Sequence, residues 1–137
     1  MKSQVTSIEQ SRRLLGLGVP AEKASMVWEY WINLDFSKDV PEEVFYNLNA
    51  KTNREADSFD RDIPAFTVVD LLKMMPGFID ENKSLFIERR SVGCSGSKWC
   101  IGYRDRVTLW LDSESSLLDV CTLGIEWLLS NGYKLEL

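Results

Sequence analysis

The chain has 137 residues, no histidine and a formal net charge of −5, and 45% of its residues are hydrophobic. This composition is typical of an ordinary globular protein, and the length favours one domain. The acidic balance argues against non-specific nucleic-acid binding, and the missing histidine removes Ser-His-Asp and Cys-His catalysis, imidazole acid–base chemistry and histidine metal sites.

Neither a secretory signal nor a membrane span is predicted. The N-terminal residues contain no apolar stretch after the first charge, and no apolar run in the chain approaches the roughly 20 residues that a transmembrane helix needs. The three cysteines are an odd number, which argues against a complete disulfide framework and favours a reducing compartment. We therefore expect a cytoplasmic protein without a cofactor.

The first 26 residues predict a helical segment. Ser7 and Gln10 fit the capping-box pattern, and the helix that follows should end at the glycines Gly16 and Gly18. Pro20 is suited to the first position of a second, short helix, because its missing N–H is not needed there. The second helix contains no arginine that could read base edges, so simple packing is favoured over DNA recognition.

The middle of the chain predicts strands and a loop. Val27–Leu34 is rich in aromatic and β-branched residues and predicts one strand, and Val44–Leu48 predicts a second. Residues 49–63 are polar and acidic without an apolar period, which indicates an exposed loop. Its aspartates lack the glycine and the terminal glutamate of an EF-hand loop, so we expect no metal site.

The second half predicts a helix, three strands and a final helix. The first helix is Val68–Met75, for which Thr67 is the expected N-cap. The final helix should begin at Ser113 or Ser115 and end at Asn131-Gly132, and its Gly124 would permit a close approach to a neighbouring element. An apolar stripe is predicted along this helix, formed by Leu118, Cys121, Ile125 and Leu128. The three predicted strands are Leu85–Arg90, Lys98–Arg104 and Arg106–Leu111.

Residues 64–131 carry a family resemblance. The segment Pro64–Pro76, the three-stranded meander and the pattern Leu118-x-x-Cys-x-x-x-Ile-x-Trp-Leu-Leu129 resemble small phage and prophage proteins described as alpha–beta–alpha sandwiches. The resemblance implies this fold and a viral or prophage setting, and it implies no established chemistry. The element order itself favours an α+β fold with a mostly antiparallel sheet packed with helices.

We expect one domain over residues 1–137. It would contain an N-terminal helical segment, residues 1–26, and a helix–meander–helix core, residues 64–137.

The stretch Val92–Cys100, VGCSGSKWC, predicts a hairpin loop in which glycine and serine supply the turn geometry. A zinc site would need four cysteine or histidine ligands, which this chain does not offer. In a tyrosine-phosphatase loop starting at Cys94, the position of the phosphate-binding arginine is occupied by Cys100. A P-loop requires a strand-to-helix turn, whereas this segment lies between two predicted strands.

Charge is distributed unevenly. Residues 29–62 contain nine acidic and four basic residues, whereas residues 83–108 contain six basic and two acidic residues. Strand alternation groups arginines with aromatic residues on one face of the meander, where guanidinium groups could bind carboxylate or phosphate and rings could stack. The candidate ligand-binding residues are Phe86, Arg90, Lys98, Arg104, Arg106 and Trp110.

Three readings of this face stay open. The chain could be a non-enzymatic phage or prophage accessory protein that acts through protein–protein contact, or a small-molecule binder that sequesters a nucleotide-like anion. In the third reading, the arginines pair with the acidic residues of the segment 29–62 and have no ligand. For the chain as a whole, an enzyme that uses carboxylates alone is a further function, and the sequence favours it least. The sequence does not decide the oligomeric state, so a homo-oligomer is compatible with all three.

Overall fold

The computed structural model describes residues 4–30, 46–50, 62–91, 96–105, 108–114 and 116–137, and it describes only the backbone of Tyr30 and residues 108–114. The helices are α1 (Ile8–Gly16), α2 (Val68–Met74) and α3 (Leu117–Ser130), with one turn of 3-10 helix at Ala21–Lys23. The strands are β1 (Met26–Tyr30), β2 (Tyr46–Ala50), β3 (Ile63–Ala65), β4 (Phe78–Ile79), β5 (Lys83–Ser91), β6 (Ser97–Arg104) and β7 (Thr108–Glu114).

These strands form two antiparallel sheets, one with the order β2-β1-β3 and one with the order β4-β5-β6-β7. The α+β fold with antiparallel sheets and helices is therefore confirmed. The chain divides into two compact units, residues 1–67 and 68–137, each with its own sheet. The single domain expected from the sequence stays a prediction. Among the described residues, no helix has the length and apolar character needed to cross a membrane.

The capping box at the start of α1 is confirmed. The backbone N–H of Gln10 donates to Ser7 Oγ at 3.1 Å, and the backbone N–H of Ser7 donates to Gln10 Oε1 at 2.9 Å. The chain turns after the helix at Gly18, which has a φ of +100° that only glycine adopts without strain. The second helix is shorter than predicted, because only Ala21–Lys23 form a helical turn after Pro20.

Trp28 lies at the centre of the first unit. It pairs with Leu48 of β2 and Ile63 of β3, and its indole N–H donates to the carbonyl oxygen of Thr6 at 2.9 Å. The Thr6 hydroxyl in turn accepts from the backbone N–H of Phe66 at 2.9 Å and shares a 2.7 Å hydrogen bond with the Ser11 hydroxyl. A buried polar connection therefore joins the segment before α1 to β1 and to the residue after β3.

The sequence analysis missed β3 and ended β2 too early. Ile63 belongs to a strand and not to the predicted loop, and Pro64 pairs with Val27 in this strand although proline cannot donate a ladder hydrogen bond. Strand β2 continues to Ala50, two residues beyond the predicted end. The remainder of the predicted loop up to residue 61 and the second half of the predicted aromatic strand, residues 31–34, lie outside the described residues.

Helix α3 forms the core of the second unit. It packs on β6 and β7, and α2 packs against α3. The apolar stripe predicted for it is confirmed, and the buried set is wider than the stripe because it also includes Val120, Thr122 and Gly124. On the sheet side, Ile101 and Tyr103 are completely buried, and the Tyr103 hydroxyl donates to the carbonyl oxygen of Pro76 at 2.7 Å.

The start predicted for the final helix is wrong. Its N-cap is Ser116, whose hydroxyl accepts from the backbone N–H of Asp119 at 3.4 Å. Ser113 lies in β7, which continues to Glu114 because its residues pair with β6 as far as Trp99. The predicted end is confirmed, since Asn131 is the C-cap and Gly132 follows with a φ of +81°. The short strand β4 was also missed, because two residues carry no detectable periodicity.

Candidate binding face on the β5–β6 hairpin

The register of β5 and β6 determines which side chains share a face. Arg90 is paired with Lys98, Glu88 with Cys100, Phe86 with Gly102 and Ser84 with Arg104. Side chains alternate along each strand, so these residues lie on the sheet face opposite the α3-packed residues Ile101 and Tyr103. We call this set the arginine face, and it consists of Phe86, Glu88, Arg90, Lys98 and Arg104.

A single carboxylate holds two arginines on this face. Arg90 donates from Nε and Nη2 to Glu88 Oε2, at 3.1 and 3.0 Å. Arg104 forms an ion pair from Nη2 to the other oxygen, Glu88 Oε1, at 2.6 Å. Hydrogen bonds from Arg90 and then from Arg104 lower the pKa of Glu88, because they stabilise its charged form. Glu88 is therefore ionised at neutral pH.

Arg104 also lies over an aromatic ring. Its guanidinium carbon is 4.2 Å from the ring centroid of Phe86, within the range of a cation–π contact. The residue opposite Phe86 on β6 is Gly102, which has no side chain to separate the two. An aromatic residue commonly covers a glycine on the neighbouring strand in this way. The Arg104 side chain thus extends from its own position opposite Ser84, over the ring of Phe86, to Glu88.

The side chains of this cluster remain accessible. The exposed fractions are 46% for the Arg90 side chain, 41% for Arg104 and 33% for Glu88. Ion pairs with this exposure contribute little to folding, because water and salt screen the charges, so stability alone gives little reason for the arrangement. Lys98, the cross-strand neighbour of Arg90, is exposed as well. The described face thus presents three cations around one anion.

Four of the six predicted binding residues come together here. Phe86, Arg90, Lys98 and Arg104 share the face. Arg106 lies outside the described residues, and only the backbone of Trp110 is described. In the backbone register Trp110 pairs with Tyr103, and a register shift follows between Tyr103 and Arg104.

Glu88 is the residue whose role the sequence analysis missed. The sequence suggested the acidic segment 29–62 as the counter-charge for the arginines, and most of that segment lies outside the described residues. The described carboxylate that contacts both Arg90 and Arg104 comes from the same hairpin. The alternation in Phe86-Ile-Glu88-Arg-Arg90 places Glu88 beside Arg90 and was the available signal. The contact of Arg104 with Glu88 could be predicted only from the pairing register of β5 and β6.

The opposite face of the hairpin carries a second cation beside an aromatic residue. Arg89 pairs with Trp99 across the strands, and its guanidinium carbon is 6.0 Å from the ring centroid. Arg89 is exposed and Trp99 is half-buried. The hairpin therefore has basic side chains on both faces near its end.

The cysteines do not form a reactive centre in the described part of the chain. Cys100 and Cys121 are buried free thiols, and burial raises the pKa of Cys121 to about 12. A thiol with so high a pKa is a poor nucleophile, because the thiolate is the reactive form. Cys94 lies outside the described residues, and within the described ranges no three histidine, cysteine, aspartate or glutamate side chains are grouped to hold a metal ion.

Comparisons of the chain with protein-family models, with curated proteins and with solved structures found no match.

Proposed function

We propose that this protein is a non-enzymatic binding protein that acts through contact with another protein, and that its arginine face receives an acidic surface of that partner. The observation that carries the proposal is the arrangement of Arg90 and Arg104 around Glu88. Guanidinium groups bind carboxylates with paired, directional hydrogen bonds, and most of the donors of these two groups point to no described acceptor. Both arginines are half-exposed and can reach a second molecule.

An acidic protein surface is favoured over a nucleotide-like anion. Binding of a nucleobase would need an open aromatic ring for stacking, but Phe86 is only 8% exposed and Arg104 lies over its ring. A small anion remains the second candidate function, because the same two guanidinium groups are suited to phosphate.

The non-enzymatic part of the proposal rests on the histidine-free sequence and on the burial of Cys100 and Cys121. The phage or prophage setting rests on the sequence resemblance over residues 64–131, and the cytoplasmic location on the odd number of cysteines. The net charge of −5 supports a protein partner over nucleic acid.

The experiment compares three full-length proteins in cross-linking mass spectrometry with lysate of the native host. They are the wild type, the double variant Arg90→Gln with Arg104→Gln, and the control Lys134→Gln, which removes a charge from an exposed position elsewhere in the second unit. The proposal expects a partner that the wild type and the control recover, that the double variant loses, and whose cross-linked segment is rich in aspartate and glutamate.

Two results would overturn the proposal. One is recovery of the same partners by the double variant, provided that circular dichroism shows it to be folded. The other is a small bound anion in the native mass spectrum of the wild type that disappears in the double variant. The second result would indicate that the arginine face binds a small anion and not a protein.

A further inference from the structure

The arginine face contains its own anionic ligand. Arg104 extends from its position opposite Ser84, over the ring of Phe86, to Glu88, while Arg90 reaches Glu88 from the other side. Each carboxylate oxygen contacts a different arginine. A carboxylate that accepts from two guanidinium groups occupies the position that a carboxylate of a partner would take.

The internal carboxylate neutralises only part of the positive charge. Beside the two arginines, Lys98 lies directly across from Arg90 and is exposed. A partner with one carboxylate could only exchange with Glu88 and would gain little. A partner with two neighbouring carboxylates could contact the arginines and also approach the ammonium group of Lys98, so it would gain attraction that Glu88 does not supply.

We infer that Glu88 is an intramolecular competitor that occupies Arg90 and Arg104 until a protein segment with at least two neighbouring carboxylates displaces it. This inference rests on the proposed function and names the class of partner, an acidic peptide segment. It also explains why a cluster of exposed ion pairs, which stabilises folding little, is arranged around one carboxylate at the middle of an otherwise basic face.

Glu88 could instead act as a positioning residue that holds the two guanidinium groups ready for the partner. The two roles predict opposite effects of its removal. If Glu88 competes, neutralising it strengthens the binding of an acidic segment. If Glu88 positions the arginines, neutralising it weakens binding, because the guanidinium groups lose their fixed orientation.

The test measures fluorescence anisotropy of a labelled peptide that contains the run Glu-Glu-Asp-Glu-Glu, with the full-length protein at low ionic strength. The matched probe contains Gln-Gln-Asn-Gln-Gln. The proteins are the wild type, Glu88→Gln, Arg90→Gln with Arg104→Gln, and Glu136→Gln, which makes the same charge change at an exposed position on the C-terminal segment. Inorganic phosphate serves as a competitor.

We expect Glu88→Gln to bind the acidic peptide about three- to tenfold more tightly than the wild type, because a negative charge a few ångströms from the bound carboxylates is removed. Glu136→Gln should change the affinity by less than about twofold, since Glu136 lies on the C-terminal segment, where its backbone N–H bonds to Met74 of α2, and it contacts neither arginine. The arginine double variant should bind at least about tenfold more weakly, and the neutral peptide should bind to none of the proteins.

The outcomes separate this inference from the proposed function. If the arginine double variant loses the peptide but Glu88→Gln binds it equally or less well than the wild type, the competitor role is wrong and the binding face stands. If neither the wild type nor Glu88→Gln binds the acidic peptide, the proposed protein partner is wrong as well. Displacement of the peptide by phosphate at concentrations comparable to those of free peptide would also count against an acidic segment as the ligand.

Discussion

Gly124 of α3 lies directly against Met75, the residue after α2. A Cβ atom at Gly124 would be 2.7 Å from Met75 Cε and 3.2 Å from Ile101 Cδ1 of β6. The missing side chain thus lets α3 approach both the end of α2 and the sheet. This confirms the close approach that the sequence predicted at this glycine.

Gly124→Val should destabilise the protein by about 2–3 kcal/mol, because a branched side chain would overpack a contact that is already tight. Gly124→Ala should remain within about 1 kcal/mol of the wild type, since the helix preference of alanine offsets a contact that the flexible end of Met75 can relieve. Urea denaturation gives both free energies of unfolding. Gly16→Val is the control, because nothing lies within 4 Å of a Cβ there. Equal stability of the wild type and Gly124→Val would contradict the packing described.

The contribution of the Glu88 ion pairs to the stability of the fold should decrease at acid pH. Because the folded-state pKa of Glu88 is lowered by Arg90 and Arg104, the pairs stabilise the fold above the ordinary glutamate pKa. This contribution is lost as the pH falls through the lowered folded-state value. Carboxyl-carbon NMR during an acid titration should show Glu88 titrating below the ordinary glutamate pKa. Replacing both arginines by glutamine should raise the Glu88 pKa towards the ordinary value, and an unchanged titration would show that the contacts are absent in solution.

Thr6→Val should lower the free energy of unfolding by about 2–4 kcal/mol, although the two side chains have the same shape. The reason is that the buried N–H of Phe66 and the hydroxyl of Ser11 would lose their hydrogen-bond partner. Thr6→Ser keeps the hydroxyl and removes one methyl group, so it should cost only about 1 kcal/mol. Denaturation curves of the two variants test the difference. If Thr6→Val were the more stable of the two, the hydrogen bonds of Thr6 would not be a main source of stability in the first unit.

Cys121 should resist alkylation in the folded protein. It is completely buried, and its pKa is raised to about 12, so very little thiolate is present at mildly alkaline pH. Iodoacetamide treatment followed by peptide mapping should leave Cys121 unmodified until the protein is denatured. Rapid labelling of Cys121 under native conditions would reveal opening of the α3 core on the time scale of the reaction.

Elements defined by local chemistry were predicted well. The capping box of Ser7 and Gln10 depends on residues three positions apart, so the sequence alone contains all of its partners. The same holds for the apolar stripe of α3. The strand β3 was missed because its three residues include Pro64 and are strand only through pairing with β1. The start of α3 was misplaced because several serines are suited to N-caps, and pairing of β7 with β6 decided among them.

On the arginine face too, features set by neighbouring residues were predicted and features set by strand pairing were not. Strand alternation was enough to bring Phe86, Arg90, Lys98 and Arg104 together as a set, since the period of a strand is a local property. The pairing of both arginines with Glu88 was not predictable, because it requires the β5–β6 register.

The sequence by itself determined the α+β class and the apolar stripe of α3, because composition, capping and periodicity act over a few neighbouring residues. It also determined the absence of histidine chemistry. Only the tertiary structure decided that Arg104 lies over Phe86 and shares Glu88 with Arg90. These contacts join residues of different strands, and strand register is set by packing of the whole sheet.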